Sequence, residues 1–130
     1  MSQYNDEYDD EQEPGITLAI VGSRGFTNYK LLCRTVNEIR MKLNITCIVS
    51  GGAKGADKLG EKYAKEHGIK MVTMSPDWKL HKKKAGIIRN QDIVNAADYV
   101  LCFWDSQSPG TRNTIERTRK TNKMLKIVRY

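Results

Sequence analysis

The chain has 130 residues, 39% hydrophobic and 28% charged, with 22 Lys and Arg against 15 Asp and Glu. That length suits one globular domain with a sizeable core, and no apolar run approaches the ~20 residues of a membrane span. The N-terminus lacks the basic-then-apolar pattern of a secretory signal. Cys33, Cys47 and Cys102 are far apart with no CxxC pair, so the expectation is a cytoplasmic protein with buried free thiols, no cofactor and no metal.

Charge is unevenly spread. Residues 1–14 carry Asp6, Glu7, Asp9, Asp10, Glu11 and Glu13 and no Lys or Arg. The remaining nine acids face 22 basic residues, which makes the rest of the chain +13. The acidic stretch has no aliphatic periodicity and ends at Pro14-Gly15. It reads as a disordered, solubilising tail, residues 1–14, ahead of a domain over 15–130.

The apolar run Ile16 to Val21, ended by glycine, predicts a buried strand. From Asn28 to Leu43, apolar residues at Leu32, Val36, Ile39 and Leu43 have helical spacing, with Thr27 or Asn28 as the cap. Thr46 to Ser50 is the second strand. Ala56, Leu59, Tyr63 and Ala64 mark one face of a second helix, with Glu61 and Lys65 as an i,i+4 pair and Gly68 as the stop. Ile69 to Met74 is the third strand. A basic loop, His81 to Lys84, leads to a helix over Gly86 to Ala97; Asp98 opens the strand Tyr99 to Trp104. A helix from Thr111 to about Asn122 and a strand Leu125 to Val128 complete the chain.

Strands alternating with helices imply an α/β domain with a doubly wound, parallel five-stranded sheet covered on both faces. Right-handed crossovers favour the order 3-2-1-4-5, with the first strand central. In such a sheet, ligands bind beyond the carboxyl ends of the strands, near the point where the order reverses.

Three glycine-bearing loops fall at that edge. They are Gly22-Ser23-Arg24-Gly25-Phe26, Gly51-Gly52-Ala53-Lys54-Gly55-Ala56-Asp57, and the stretch from Trp104 through Ser108 and Gly110 to Thr111. Helix N-termini offer unpaired N–H groups to anions, glycine permits close backbone approach, Ser23, Ser108 and Thr111 add hydroxyls, and Arg24 adds charge. That chemistry suits a phosphate or a nucleotide. The second loop lacks the Lys-Ser/Thr of a P-loop, the first is not G-x-G-x-x-G, and the second strand ends in Ser50-Gly51 rather than a ribose-binding acid. An ordinary ATPase or NAD dehydrogenase is therefore not expected.

Val21-Gly22-Ser23-Arg24-x-Phe26, Ser50-Gly51-Gly52-Ala53-x-Gly55-Ala56-Asp57, Asp77-Trp78, Ala85-Gly86-x-x-Arg89-Asn90 and Phe103-Trp104-Asp105-x-x-Ser108-x-Gly110-Thr111 together resemble the YspA-like family of the SLOG superfamily, over roughly residues 16 to 128. The resemblance implies a Rossmann-like, three-layer domain and a nucleotide or NAD-derived ligand, sensed or sequestered. The superfamily also contains LOG phosphoribohydrolases, which cleave the N-glycosidic bond of nucleoside monophosphates, and DprA-type DNA-binding proteins. These are the two alternative functions.

Arg89 resembles an arginine of the LOG site, and Asn90 accompanies it. Glu116 stands five residues past Thr111, whereas the enzymes carry an acid two or three past their threonine; Thr114 occupies the nearer slot, and Asn113-x-x-Glu116 reads as a capping box. Arg89, Glu116 and Asp57 are the weak catalytic candidates. Asp57 either complements its helix dipole or accepts from a ribose hydroxyl. Trp78 either packs across the sheet edge or stacks on a base. Trp104 reads as core, and His67 as a partner of its helix C-terminus. Lys82 to Lys84 and the cluster Arg112, Arg117, Arg119, Lys120 and Lys123 read as a solvated face, with nucleic acid as the rival partner. Helix faces of so short a domain favour a homo-oligomer.

Overall fold

The computed structural model describes residues 14–130. The predicted acidic tail therefore lies, but for Pro14, outside the described residues. The elements are β1 (Ile16–Gly22), α1 (Tyr29–Lys42), β2 (Ile45–Ser50), α2 (Ala56–Glu66), β3 (Lys70–Thr73), a short α3 (Trp78–His81), α4 (Ala85–Ala96), β4 (Tyr99–Trp104), α5 (Pro109–Arg119) and β5 (Met124–Arg129). All strand pairs are parallel and the order is β3-β2-β1-β4-β5, the expected one.

Both faces of the sheet are covered, which is why its strands read as unbroken apolar runs. Leu18, Ile20, Ile48, Leu101 and Phe103 point to one face and pack with Leu32, Val36 and Ile39 of α1 and Tyr63 and Ala64 of α2. Their neighbours in sequence, Ala19, Val21, Val49, Val100 and Cys102, point to the other face and meet Ile93 of α4 and Ile115 of α5. Asp98 fixes the start of β4: its side chain accepts from Thr17 N at 2.9 Å, and its own N–H donates to Thr17 O at 2.8 Å.

Local signals set the helix ends. The Asn28 side chain caps α1 by accepting from Leu31 N at 3.0 Å. His67 closes α2, with Nδ1 2.9 Å from Tyr63 O and its ring stacked on Tyr63 at 3.9 Å. Lys123 reaches back from the start of β5 to the C-terminus of α4, donating to the carbonyls of Val94 and Asn95 at 2.6 and 2.9 Å.

Four local expectations are corrected. Glu61 pairs with Lys58, at 3.4 Å, and accepts from Ser50 Oγ; Lys65 is not its partner. The basic stretch after β3 is ordered as α3, capped by Asp77 accepting from Leu80 N, and a 3-10 turn over Lys82–Lys84. The last helix begins at Pro109, two residues before Thr111, because Pro is pre-set for the first helical position. Asn113 therefore lies inside α5 and forms no capping box. Of the thiols, only Cys102 is fully buried; Cys33 and Cys47 are half-buried.

Candidate functional site

The carboxyl ends of β1, β2 and β4 release three loops side by side. Phe26, 1% exposed, anchors the first by stacking on Phe103 (4.5 Å between centroids) and meeting Tyr130 edge-on (5.0 Å). Ser23 Oγ accepts from Asp105 N at 3.1 Å, which sews the first loop to the third. The Asp105 carboxylate then folds the third loop, accepting from Gln107 N (2.9 Å), Ser108 N (2.8 Å) and Ser108 Oγ (2.9 Å). Those donors, the Ser108 and Gln107 N–H groups above all, pull its pKa down to about 2.

The second loop is held from within α2. Asp57 Oδ2 accepts from Gly51 N at 2.8 Å and Ala53 N at 3.4 Å. Gly55, at φ +81°, then turns the chain into α2. It lies so close to the first loop that a Cβ there would sit 2.4 Å from Ser23 O and 2.6 Å from Arg24 O.

From the other side of the sheet, α4 presents Arg89 and Asn90. Arg89 donates from a terminal nitrogen to Gly51 O (2.8 Å) and from Nε to Asn90 Oδ1 (3.1 Å). Asn90, 8% exposed, donates from Nδ2 to Gly110 O (3.3 Å) and Asn113 Oδ1 (3.2 Å). A hydrogen-bonded chain thus runs from α2 through α4 to α5.

These elements enclose a cleft of about 730 Å³. Of the residues singled out in the sequence, Gly22, Ser23, Arg24, Ala53, Asp57, Trp78, Arg89, Asn90, Ser108, Gly110 and Thr111 line it. Phe26, Gly51, Gly52 and Gly55 do not. Phe26 is an anchor, Gly51 backs Arg89 and Asp57, Gly52 faces Thr73, and Gly55 joins two loops. Glu116 is exposed on α5, outside the cleft. The cleft also takes in Lys83, Ile87, Ile93, Asp105, Asn113 and Thr114. For Asn113 and Thr114 a signal existed: Pro109 at the first helical position places both on the inner turns of α5. Lys83 was marked only as one member of the basic run Lys82 to Lys84.

Trp78 is 60% exposed on the rim, with Ile87 beside it on the wall. Packing across the sheet edge is therefore not its role. Trp104, 9% exposed, belongs to the core and donates from Nε1 to Ser108 O at 3.1 Å. Arg112 and Arg129 both lie 5.4 Å from its ring. The late basic cluster separates into distinct tasks: Arg112 on Trp104, Arg117 on Asn113 and Gln91, and Lys123 on α4.

The cleft lining carries the cations Arg24, Lys83 and Arg89 and the carboxylates of Asp57 and Asp105. Burial lowers the Arg89 pKa; the Asp57 charge opposes this, and Arg24 adds to the lowering. Two guanidiniums therefore feel each other in one cleft. Asp57, 4% exposed, is pushed up to about 6 by burial, against the pull of the Gly51 and Ala53 N–H groups and Arg89.

The raised value has a sign. The folded state holds the Asp57 proton more tightly than an unfolded chain with a pKa near 3.9, so this group favours folding most below about pH 4 and loses that contribution as pH rises to about 6. Asp57→Asn should flatten that part of the stability profile. Urea melts at pH 4.5 and 7 are expected to show a smaller difference in the variant than in the parent; an unchanged difference would place the titration elsewhere.

Residues 16–81 match the model of the YspA, cpYpsA-related SLOG family. The chain belongs to that family. A curated relative, the "Gene 61 protein" of Mycobacterium phage D29, is 37% identical over 79 residues, 56% of this chain. The match covers 63% of the phage protein, less than two thirds of its length. No solved structure matches the chain. For a SLOG member, the family match takes in the first two loops, Asp57 and Trp78, while Arg89 and the third loop lie beyond it.

Proposed function

We propose that the cleft binds a nucleotide or nucleotide-derived ligand, with its phosphate at the start of α5 and its base toward Trp78. The observation that carries this reading is the state of the α5 N-terminus. The Ser108 hydroxyl is engaged by Asp105, so no side chain caps the helix. The N–H groups of Gly110 and Thr111 have no partner among the described residues, and neither has the Thr111 hydroxyl, although Thr111 is only 6% exposed and lines the cleft. A buried, unpaired hydroxyl beside unpaired amides costs stability unless a ligand completes it. Arg24 and Arg89 supply the positive charge that a phosphate needs.

The test is a calorimetric titration with nucleoside mono- and diphosphates, NAD and ADP-ribose. Saturable binding that Thr111→Val weakens about tenfold supports the assignment, the loss of one phosphate hydrogen bond being worth about 1.4 kcal/mol. No binding across the panel would refute it.

Asp57 favours a second reading, hydrolysis of the N-glycosidic bond in the manner of LOG enzymes. A buried carboxyl with a pKa of about 6 beside an arginine is suited to proton transfer near neutrality. Free base released from nucleoside monophosphates, and lost in Asp57→Asn, would establish that reading. A binding protein releases none.

A further inference from the structure

We infer that Asn113 is a specificity-determining residue of this cleft, presenting its amide N–H pair to a ribose hydroxyl oxygen, and that Arg117 positions it to do so. The inference rests on the nucleotide reading above.

The argument begins with which way two amides face. An arginine has only donors, so an Asn atom that meets one must be its oxygen. Arg117 Nε lies 2.9 Å from the Asn113 side chain, which makes the atom there Oδ1. Arg89 Nε lies 3.1 Å from Asn90, which fixes Oδ1 on that side. Asn90 must then turn Nδ2 toward α5, where it meets Asn113 Oδ1 at 3.2 Å, an acceptor as required. Both amides are thus determined from both ends of the chain. Asn113 Oδ1 accepts two hydrogen bonds, while its Nδ2 has no partner among the described residues.

Neighbouring side-chain donors are consumed. Asn90 Nδ2 and Thr114 Oγ1 both donate to Gly110 O, each at 3.3 Å. What the α5 wall still offers is the unpaired Thr111 hydroxyl and, two residues on, the Asn113 N–H pair. Thr111 and Asn113 both line the cleft, so the amide borders the same space as the phosphate position. In a nucleotide, the group next to the phosphate is the sugar. A neutral amide donor matches a hydroxyl oxygen there, whereas a second arginine would have matched another phosphate.

Arg117 holds the amide in this orientation. Its other arm donates to Gln91 Oε1 at 2.7 Å, so the guanidinium spans α4 and α5 and cannot swing away without losing that bond too. Without it, Asn113 would be held only by the single 3.2 Å hydrogen bond from Asn90, and its amide would be less firmly aimed.

The experiment measures the affinities of AMP, GMP, CMP and UMP against their 2′-deoxy and 3′-deoxy counterparts by calorimetry. For the nucleotides that bind, one of the two deoxy counterparts is expected to bind about tenfold more weakly, the effect of one lost hydrogen bond. In Asn113→Ala that ratio should fall to about one, through loss of affinity for the ribonucleotide alone. Arg117→Met should lower the ratio as well, while Arg117→Lys, which keeps a donor but not the fork that spans Asn113 and Gln91, should retain part of it. If Arg117 merely stabilised the fold, Arg117→Met would lower the melting temperature and both affinities together, leaving the ratio intact and overturning the positioning role. A wild-type ratio of one, or a ratio that survives Asn113→Ala, would overturn the assignment of Asn113 while leaving nucleotide binding standing. Binding of none of the four monophosphates would overturn this inference, and the nucleotide reading falls with it when the diphosphates, NAD and ADP-ribose fail to bind too.

Discussion

Gly22→Ala is expected to lower the melting temperature by about 12 °C. Gly22 ends the central strand opposite Phe103, and an added Cβ would lie 2.2 Å from Phe103 O and 2.8 Å from the Ala56 Cβ. Neither obstacle is a flexible side-chain tip. One is the backbone of the neighbouring strand and the other is the first residue of α2, so relief requires β1 and β4 to part or α2 to lift. Overpacking of this kind costs about 3 kcal/mol, and a domain of this size loses about 4 °C for each. Gly25→Ala, in the same loop, is the control, since nothing lies within 4 Å of its Cβ position. It should change stability by less than about 0.5 kcal/mol. Equal melting temperatures for the two variants would mean that the first loop is not clamped between β4 and α2.

The second large effect is expected from Arg89→Ala, which should weaken nucleotide binding about 100-fold. A guanidinium in contact with a phosphate contributes charge-assisted hydrogen bonds worth about 2–3 kcal/mol. Arg89 also holds the Gly51 carbonyl and the Asn90 amide, so its removal loosens the floor of the cleft at two points. Arg89→Lys keeps the charge but cannot reach both partners, and should recover only part of the affinity. The same change to alanine removes the positive charge that restrains Asp57, whose pKa should rise further from about 6. Calorimetry gives the first result, and a titration of the Asp57 carboxyl carbon by NMR gives the second. Affinity within twofold of the parent would remove Arg89 from the ligand-binding groups.

The sheet was legible because its physics is local. A strand covered on both faces is a short apolar run, and Ile16 to Val21, Thr46 to Ser50 and Tyr99 to Trp104 each end at a glycine, a serine or an aspartate that starts a loop. The strand order is one of the few that right-handed crossovers allow, with no side chain consulted. Helix starts were less legible because capping depends on partners. Asn113-x-x-Glu116 has the letters of a capping box, yet Asp105 gathers the Ser108 N–H and hydroxyl and starts α5 earlier, leaving Asn113 one turn inside.

The same dependence separates the site residues that were visible from those that were not. Ser23 and Arg24 follow β1, and Gly110 and Thr111 open α5 after the β4 loop, so the fold alone brings them to the cleft. Phe26 lies in the same loop, but its ring turns inward onto Phe103, and only the packing reveals that. Lys83 and Asn113 reach the cleft because α3, the 3-10 turn and α5 fold toward it; in sequence they are one lysine in a basic run and one asparagine in a helix.

The proposal that the three loops bind one anion in a shared cleft is tested most directly by amide NMR of the protein titrated with a nucleoside monophosphate. The N–H signals of Ser23, Ala53, Gly110 and Thr111 are expected to shift together along one saturation curve. Shifts confined to the far groove around Met41 and Met124, or no shift at any of the four amides with any nucleotide, would contradict it.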